Sequence, residues 1–254
     1  MLVQIDDDHI GTITLNRPES MNTFTTTTAV ELYQALLELE AEPRARVIVL
    51  AAKGKAFCAG IDVSEIKGKS AHELKQWVEV MERPLFTMSQ LGKPVIASVG
   101  GIAAANGAGL AAAADLAIMA KSARLGYTAV NVGLFCLGPA VPLVRMVGRK
   151  RAHELLFYGR LIKARQALEW GMVNAVVDDD QLEKETHRWA VQLARKSPLA
   201  LQLSKKALNG MADLEYHKAF DYMNEAFARL CSTEDADEGV AAFLEKRQPE
   251  WKGR

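Results

Sequence analysis

The chain has 254 residues, 49% hydrophobic and 24% charged, with 31 Lys plus Arg against 31 Asp plus Glu. That length suits one large domain, or a domain with an appendage, and allows a sizeable buried core. Zero net charge, with no basic cluster interleaved with aromatics, argues against a nucleic-acid partner. Cys58, Cys136 and Cys231 are too scattered for a disulfide framework, and with the five histidines they form no metal-spaced cluster. The expected compartment is the reducing cytoplasm. The N-terminus has no signal or transit character, and charges interrupt every apolar run, so no membrane partner is expected.

Leu2–Ile5 and Ile10–Leu15 read as a hairpin around Asp6-Asp7-Asp8-His9, a solvated turn rather than a metal site. Thr25–Glu42 reads as a helix, with Val30, Tyr33, Leu36, Leu37 and Glu40 placed by its period. Val47–Ala52 and Pro94–Val99 are apolar runs that read as buried strands, with a helix over His72–Leu91 between them. This alternation predicts an α/β fold. Ile102–Ala120 reads as a small-residue helix packed inside the protein, interrupted by glycines and Asp115. Leu125–Asn131 is a short strand or loop, and Pro139–Val147, Arg151–Tyr158 and Ala164–Trp170 are helical. Val173–Val177 is a strand and Leu182–Lys196 an amphipathic helix. Residues 1–196 therefore form the core. Residues 197–254 are helical only: Pro198–Met211, Tyr216–Cys231 and Glu234–Lys246. Such a segment cannot build a core alone and must pack on the first part or on another subunit.

Two stretches carry the chemistry: Lys55-Ala56-Phe57-Cys58-Ala59-Gly60-Ile61-Asp62 and Gly101-Ile102-Ala103-Ala104-Ala105-Asn106-Gly107-Ala108-Gly109-Leu110. Each comes after an apolar strand and turns at small residues, which let backbone N–H groups approach a ligand. Two N–H groups aimed at one point make an oxyanion hole, which suits acyl-thioester chemistry. Cys58 reads as a packed small residue and Asp62 as the cap of a helix starting near Val63. Asp115 reads as buried and hydrogen-bonded.

The order Leu15-Asn16-Arg17-Pro18…Met21-Asn22, Phe57 to Asp62, Pro94-Val95-Ile96-Ala97, the glycine-rich stretch with Asp115, and Phe243-Leu244-Glu245-Lys246-Arg247 resembles the crotonase (enoyl-CoA hydratase/isomerase) superfamily. Asn131 to Cys136 and the ending from Phe243 to Trp251 look most like the enoyl-CoA hydratase domain-containing protein 3 subgroup. The resemblance implies a spiral of ββα units whose C-terminal helices assemble trimers or hexamers. It implies an acyl-CoA thioester as ligand, with no cofactor beyond the CoA moiety. Met21, Lys55, Ala59, Ile61, Asp62, Phe243 and Lys246 match CoA-binding positions. Lys246 and Arg247 fit either CoA phosphates or a decorated last helix.

By the same resemblance the oxyanion amides are those of Ile61 and Asn106. Asn106 replaces a glycine; it keeps its N–H, and asparagine is the least costly substitute if the turn needs positive φ. The two hydratase glutamates fall at Gly109 and Ala129, which cannot transfer a proton; simple isomerases keep the second. Tyr127, Thr128, Asn131 and Cys136 flank these positions as pocket candidates. Tyr127 fits a pocket wall or a hydrogen-bond donor, and Cys136 packing or the pocket. Glu79 and Glu82 fit a solvated helix face, yet are the best remaining carboxylates. Thr128-Ala129-Val130-Asn131 resembles the Thr-Pro-Val-Asn of methylmalonyl-CoA decarboxylases, although those carry a tyrosine at the Cys136 position and a glutamate at the Gly109 position. The expected function is thus an oxyanion-stabilised enolate reaction, with decarboxylation of a malonyl-type CoA ester and non-catalytic acyl-CoA binding as alternatives.

Overall fold

The uninterrupted apolar runs lie at the centre of the larger of two sheets in the computed structural model, which describes residues 1–254. The strands are β1 (Leu2–Ile5), β2 (Ile10–Leu15), β3 (Val47–Ala52), β4 (Ala56–Cys58), β5 (Val95–Val99), β6 (Ile102–Ala104), β7 (Leu116–Ala120), β8 (Arg124–Gly126), β9 (Leu161–Lys163) and β10 (Ala175–Val177). The helices are α1 (Thr26–Ala41), α2 (Ala71–Gln90), α3 (Asn106–Ala113), α4 (Leu137–Tyr158), α5 (Ala164–Glu169), α6 (Leu182–Ala194), α7 (Pro198–Met211), α8 (Tyr216–Cys231) and α9 (Glu234–Glu245).

The larger sheet has the order β1-β2-β3-β5-β7-β10 and the smaller one β4-β6-β8-β9. Consecutive strands alternate between the two: β3, β5 and β7 enter the large sheet, and β4, β6 and β8 the small one. One helix comes after β4 and another after β6. This is the expected spiral of ββα units. Strands β2, β3, β5, β7 and β10 pair in parallel, and β5 with the first four residues of β3 is buried on both faces, which is why β3 and β5 are apolar without alternation.

Four short strands, β4, β6, β7 and β9, escape the sequence reading. The expected internal helix over Ile102–Ala120 is instead β6, a turn, α3 and β7. Only Asn106–Ala113 is helical, because the backbone at Ala105 has φ 49° and ψ −112°, which no helix accommodates. Helix α1 is also rotated from its expected phase. Leu32, Ala35, Leu36 and Leu39 face the core, whereas Val30 and Leu37 are exposed. Thr25 caps α1 by accepting the Thr28 N–H, and Ser70 with Glu73 forms a reciprocal capping box on α2. The expected break between two helices after Val147 is a non-helical Gly148 within α4.

Both apolar clusters of the interior lie within residues 10–194. Helices α7 to α9 add none, and α8 has no buried residue. The helical region is tied down by polar contacts instead. Lys205 Nζ donates to the Lys93 carbonyl (2.9 Å) and to Asp115 Oδ2 (2.6 Å), which also accepts the Val95 N–H (2.7 Å). Asp115 is thus hydrogen-bonded as expected, but 28% of its side chain stays accessible rather than buried. Buried Asp235 accepts from Ser197 Oγ, Lys252 N and Gly253 N, holding the tail. Asp6 closes the acidic turn by accepting from Asp8 N and Ile10 N, and faces His187. No helix is long and apolar enough to cross a membrane.

The loop before α1 has one keystone. Asn22, 2% exposed, donates to the Lys53 and Ala56 carbonyls and accepts the Arg17 N–H (2.9, 2.8 and 2.7 Å). Its φ of 53° is left-handed, which asparagine tolerates best among side chains. Asn22→Ala strands three backbone groups, and should cost about 3 kcal/mol. Urea denaturation checks this: the midpoint falls while the slope is unchanged.

Candidate active site

Strands β4 and β6 pair in parallel, Ala56 opposite Ile102 and Cys58 opposite Ala103, with a register shift between. Such an irregularity bends a strand end and re-aims the chain beyond it. The two small-residue turns lie directly beyond these strand ends, and they touch. A Cβ on Gly60 would lie 3.1 Å from the Ala105 Cβ, and Gly60 itself has φ 107°. A Cβ on Gly107 would lie 2.8 Å from the Cys58 Cβ and collide with the Cys58 carbonyl. Glycine is therefore required where α3 starts against the end of β4.

The N–H groups of Ile61 and Asn106 lie in these touching turns. Neither donates to a side chain, nor to any backbone carbonyl among the loop, turn and cap hydrogen bonds. For Asn106, the first residue of α3, that is the ordinary condition of an N-terminal amide, and the helix dipole favours negative charge there. The positive φ falls on Ala105, not on Asn106. The conformational reason for asparagine at 106 is thereby removed. Its side chain, in a residue only 7% exposed, makes no hydrogen bond within the chain.

The CoA-binding candidates divide into two groups. The Ala59 N–H donates to the Met21 carbonyl (3.1 Å), and Phe24 brackets Ile61 by accepting from Asp62 N and donating to the Gly60 carbonyl. Asp62 caps the short turn from Val63 by accepting the Ser64 N–H, as expected. Lys55 joins this rim through its carbonyl, which accepts the Ile102 N–H. Met21 and Lys55 are exposed, and Ala59, Ile61 and Asp62 half-exposed. Phe243 and Lys246 are not brought to them: α9 packs chiefly on α7 and α8, leaving Phe243 83% exposed. Arg247 is already held by Glu238 and Glu245.

Of the two positions where the resemblance expects an acid, Gly109 is closed by packing and Ala129 is not. A Cβ on Gly109 would meet Leu85 Cδ2 and Pro139 Cβ, each at 2.9 Å. Half-exposed Ala129 lies against Cys136, whose buried thiol is pushed up by desolvation with partial relief from the Ala129 backbone. Of the four pocket candidates, Thr128 is half-exposed and its hydroxyl caps nothing. Tyr127 is fully buried, its hydroxyl donating to the Ala108 carbonyl (3.5 Å), so it cannot reach a ligand. Asn131, exposed, donates one amide hydrogen to the Gly159 carbonyl (2.8 Å). Cys136 packs at 5% exposure, and Cys58 is fully buried, its thiol pushed up to about 12 by desolvation. Neither thiol is a nucleophile in these surroundings.

Three carboxylates lie on α2. Glu73 belongs to the capping box, and exposed Glu79 pairs with Lys75 at 3.8 Å. Glu82 is different. It is half-buried, has no ion pair, and rests against Gly138, where any Cβ would collide with its carboxyl group. Desolvation raises its pKa, opposed only by the Gly138 backbone. No three metal-ligating side chains converge.

With this geometry in place, known proteins give the kinship. The enoyl-CoA hydratase/isomerase family profile matches residues 6–254. The chain belongs to that family. It is 36% identical to the 1,2-epoxyphenylacetyl-CoA isomerase of Escherichia coli K12 over 96% of this chain and 95% of that one. The crystal structure of an enoyl-CoA hydratase from Mycobacterium smegmatis superposes with a TM-score of 0.95 at 36% identity, covering 98% of both chains. Human enoyl-CoA hydratase domain-containing protein 3 superposes at 0.94 and 31% identity, covering 98% of this chain and 99% of that one. The expected subgroup is thus among its homologues, and the crotonase fold is shared by both structures.

Ala105 is the measurable strain of this site. Its dihedrals belong to a region that glycine populates freely and that costs other residues about 1–3 kcal/mol. Ala105→Gly should therefore raise stability by about 1 kcal/mol, or roughly 2–4 °C in thermal midpoint. Calorimetry checks it, and an unchanged or lower midpoint contradicts it.

Proposed function

We propose that this protein catalyses an enolate reaction on an acyl-CoA thioester, holding the thioester oxygen on the backbone N–H groups of Ile61 and Asn106. The observation that carries this reading is the contact of the two turns, each presenting an amide with no partner among the loop and cap bonds. A thioester oxygen gains negative charge as the enolate forms, and each preorganised donor lowers the barrier by about 3 kcal/mol. The CoA moiety lies along Met21, Lys55, Ala59 and Asp62, and no further cofactor takes part. With Gly109 and Ala129 in place of glutamates, the two-glutamate addition of water is not this protein's principal reaction.

Calorimetry with butyryl-CoA at millimolar concentration tests the binding part; absence of heat contradicts it. Crotonyl-CoA hydration, monitored by loss of the conjugated thioester absorbance, should run about 10²–10⁴ below that of a two-glutamate hydratase. Replacing Asn106 by its α-hydroxy analogue exchanges the donor N–H for an oxygen with little change of shape. Turnover of the best CoA ester should then fall about 10²–10³-fold. Asn106→Gly keeps the donor and should keep activity. Equal loss in both would assign the role to the asparagine side chain.

Phe243 and Lys246 complete the CoA site only through assembly. We infer a homotrimer, or a pair of trimers, built on α8 and α9. Phe220, Phe227, Phe243 and Leu244 are all more than half exposed there, more apolar surface than a lone chain leaves in water. Light scattering at micromolar concentration should give a trimer or hexamer mass; a stable monomer contradicts the assignment.

A further inference from the structure

An enolate reaction needs a group that takes and returns a proton, and neither position where the family resemblance expects a carboxylate, Gly109 or Ala129, carries one. The wall that closes Gly109 is built by Leu85 of α2 and Pro139 of α4. One helical turn before Leu85 stands Glu82, and immediately before Pro139 stands Gly138, against which the Glu82 carboxyl group rests. The Glu82 carboxylate and the Gly109 position are therefore neighbours on one wall. Helix α3 connects that wall to the oxyanion turns, with Asn106 one turn before Gly109.

The surroundings of Glu82 are those of an acid meeting an acyl chain. Val78 and Phe86, four residues to either side on α2, are 38% and 68% exposed. Leu137 and Val141, flanking Gly138 on α4, are 74% and 54% exposed. Arg83 turns away to lie over the Tyr33 ring, so no cation neutralises the carboxylate. The other glutamates nearby are engaged: Glu65 accepts from Thr26 and Trp77, Glu73 caps α2 and Glu79 meets Lys75.

We propose that Glu82 is the catalytic carboxylate of this site, delivered to the acyl group from α2 in place of the family's usual positions. This rests on the reading that the touching turns hold a CoA thioester. The Glu82 carboxylate removes a proton from the carbon next to the thioester. The C–H electron pair becomes the carbon–carbon double bond of the enolate, and the carbonyl pair moves to the oxygen held by the Ile61 and Asn106 amides. The carboxylic acid then returns the proton to the same carbon. In an acyl chain unsaturated between its third and fourth carbons it returns it to the fourth instead, shifting the double bond into conjugation. No water, oxidant or reductant is consumed. The substrate class is an acyl-CoA with an acidic α-proton, above all a 3-enoyl thioester.

Proton exchange reads this step without knowledge of the natural substrate. Butyryl-CoA is incubated with the protein in D₂O, and deuterium at the α-carbon is measured by NMR. The wild-type protein should exchange, Glu82→Gln should lose at least 100-fold of the rate, and Glu79→Gln should match wild type. Calorimetry should give Glu82→Gln an unchanged affinity for butyryl-CoA, and circular dichroism an unchanged fold. If Glu82→Gln unfolds, Glu82→Asp replaces it, and a rate equal to wild type at unchanged affinity overturns the proposal. Exchange by Glu82→Gln at the wild-type rate overturns the assignment of Glu82. Binding of butyryl-CoA with no exchange by the wild-type protein overturns it too, and leaves the thioester site standing. Absence of binding overturns the thioester site and Glu82 with it.

Discussion

The site depends on a ladder of three-residue strands. β4 and β6 are too short to be stable alone, and they persist because the long strands β3 and β5 fix their starting points in the larger sheet. Their parallel pairing sets the two turns side by side, and Gly107 allows the start of α3 to seat on the Cys58 carbonyl. The Ile61 and Asn106 amides owe their position to this backbone geometry rather than to any side chain. A strained Ala105 is tolerated because the ladder and the α3 packing determine that turn from both sides: its N–H donates to the Gly126 carbonyl and its carbonyl accepts the Gly109 N–H.

The large-scale plan was legible because it rests on long periodic segments. α7 and α8 match their predicted bounds, and β3 was placed as a continuous apolar run. Strands β4, β6 and β9 were not legible because three residues carry no period, and β6 and β7 were read into the helix between them. The phase of α1 failed for a related reason. Its buried face is completed by Ala29 and Ala35, and the larger Val30 and Leu37 outweighed them in the pattern. The two turns were legible from their composition, but which residue carries the strain was not, since neither Ala105 nor Asn106 is glycine.

At the level of side chains, sequence separated what the chain can offer from what it cannot commit. Tyr127 and Asn131 were reasonable donors by type, and packing assigns both to backbone carbonyls of the protein itself. Glu79 and Glu82 were equivalent by type and differ in phase by three residues on α2. The helix turns one to solvent and Lys75, and the other toward Gly138. The apolar residues four positions to either side of Glu82 were the available signal. They mark a carboxylate on a hydrophobic stripe, where charge is costly without a reason.

The filling of Gly109 and the placement of Glu82 are one packing event. Leu85 occupies the space a longer side chain at 109 would need, and Pro139 shares it. A glutamate at 109 would have to displace the Leu85 side-chain end and Pro139. Conversely, a side chain at Gly138 would collide with the Glu82 carboxyl group and turn it aside. The backbone amides proposed as oxyanion donors are held by the β4–β6 ladder rather than by α2. In the proposed function, a carboxylate can thus be supplied by α2 instead of α3 while the two amides proposed to stabilise the developing charge stay where they are.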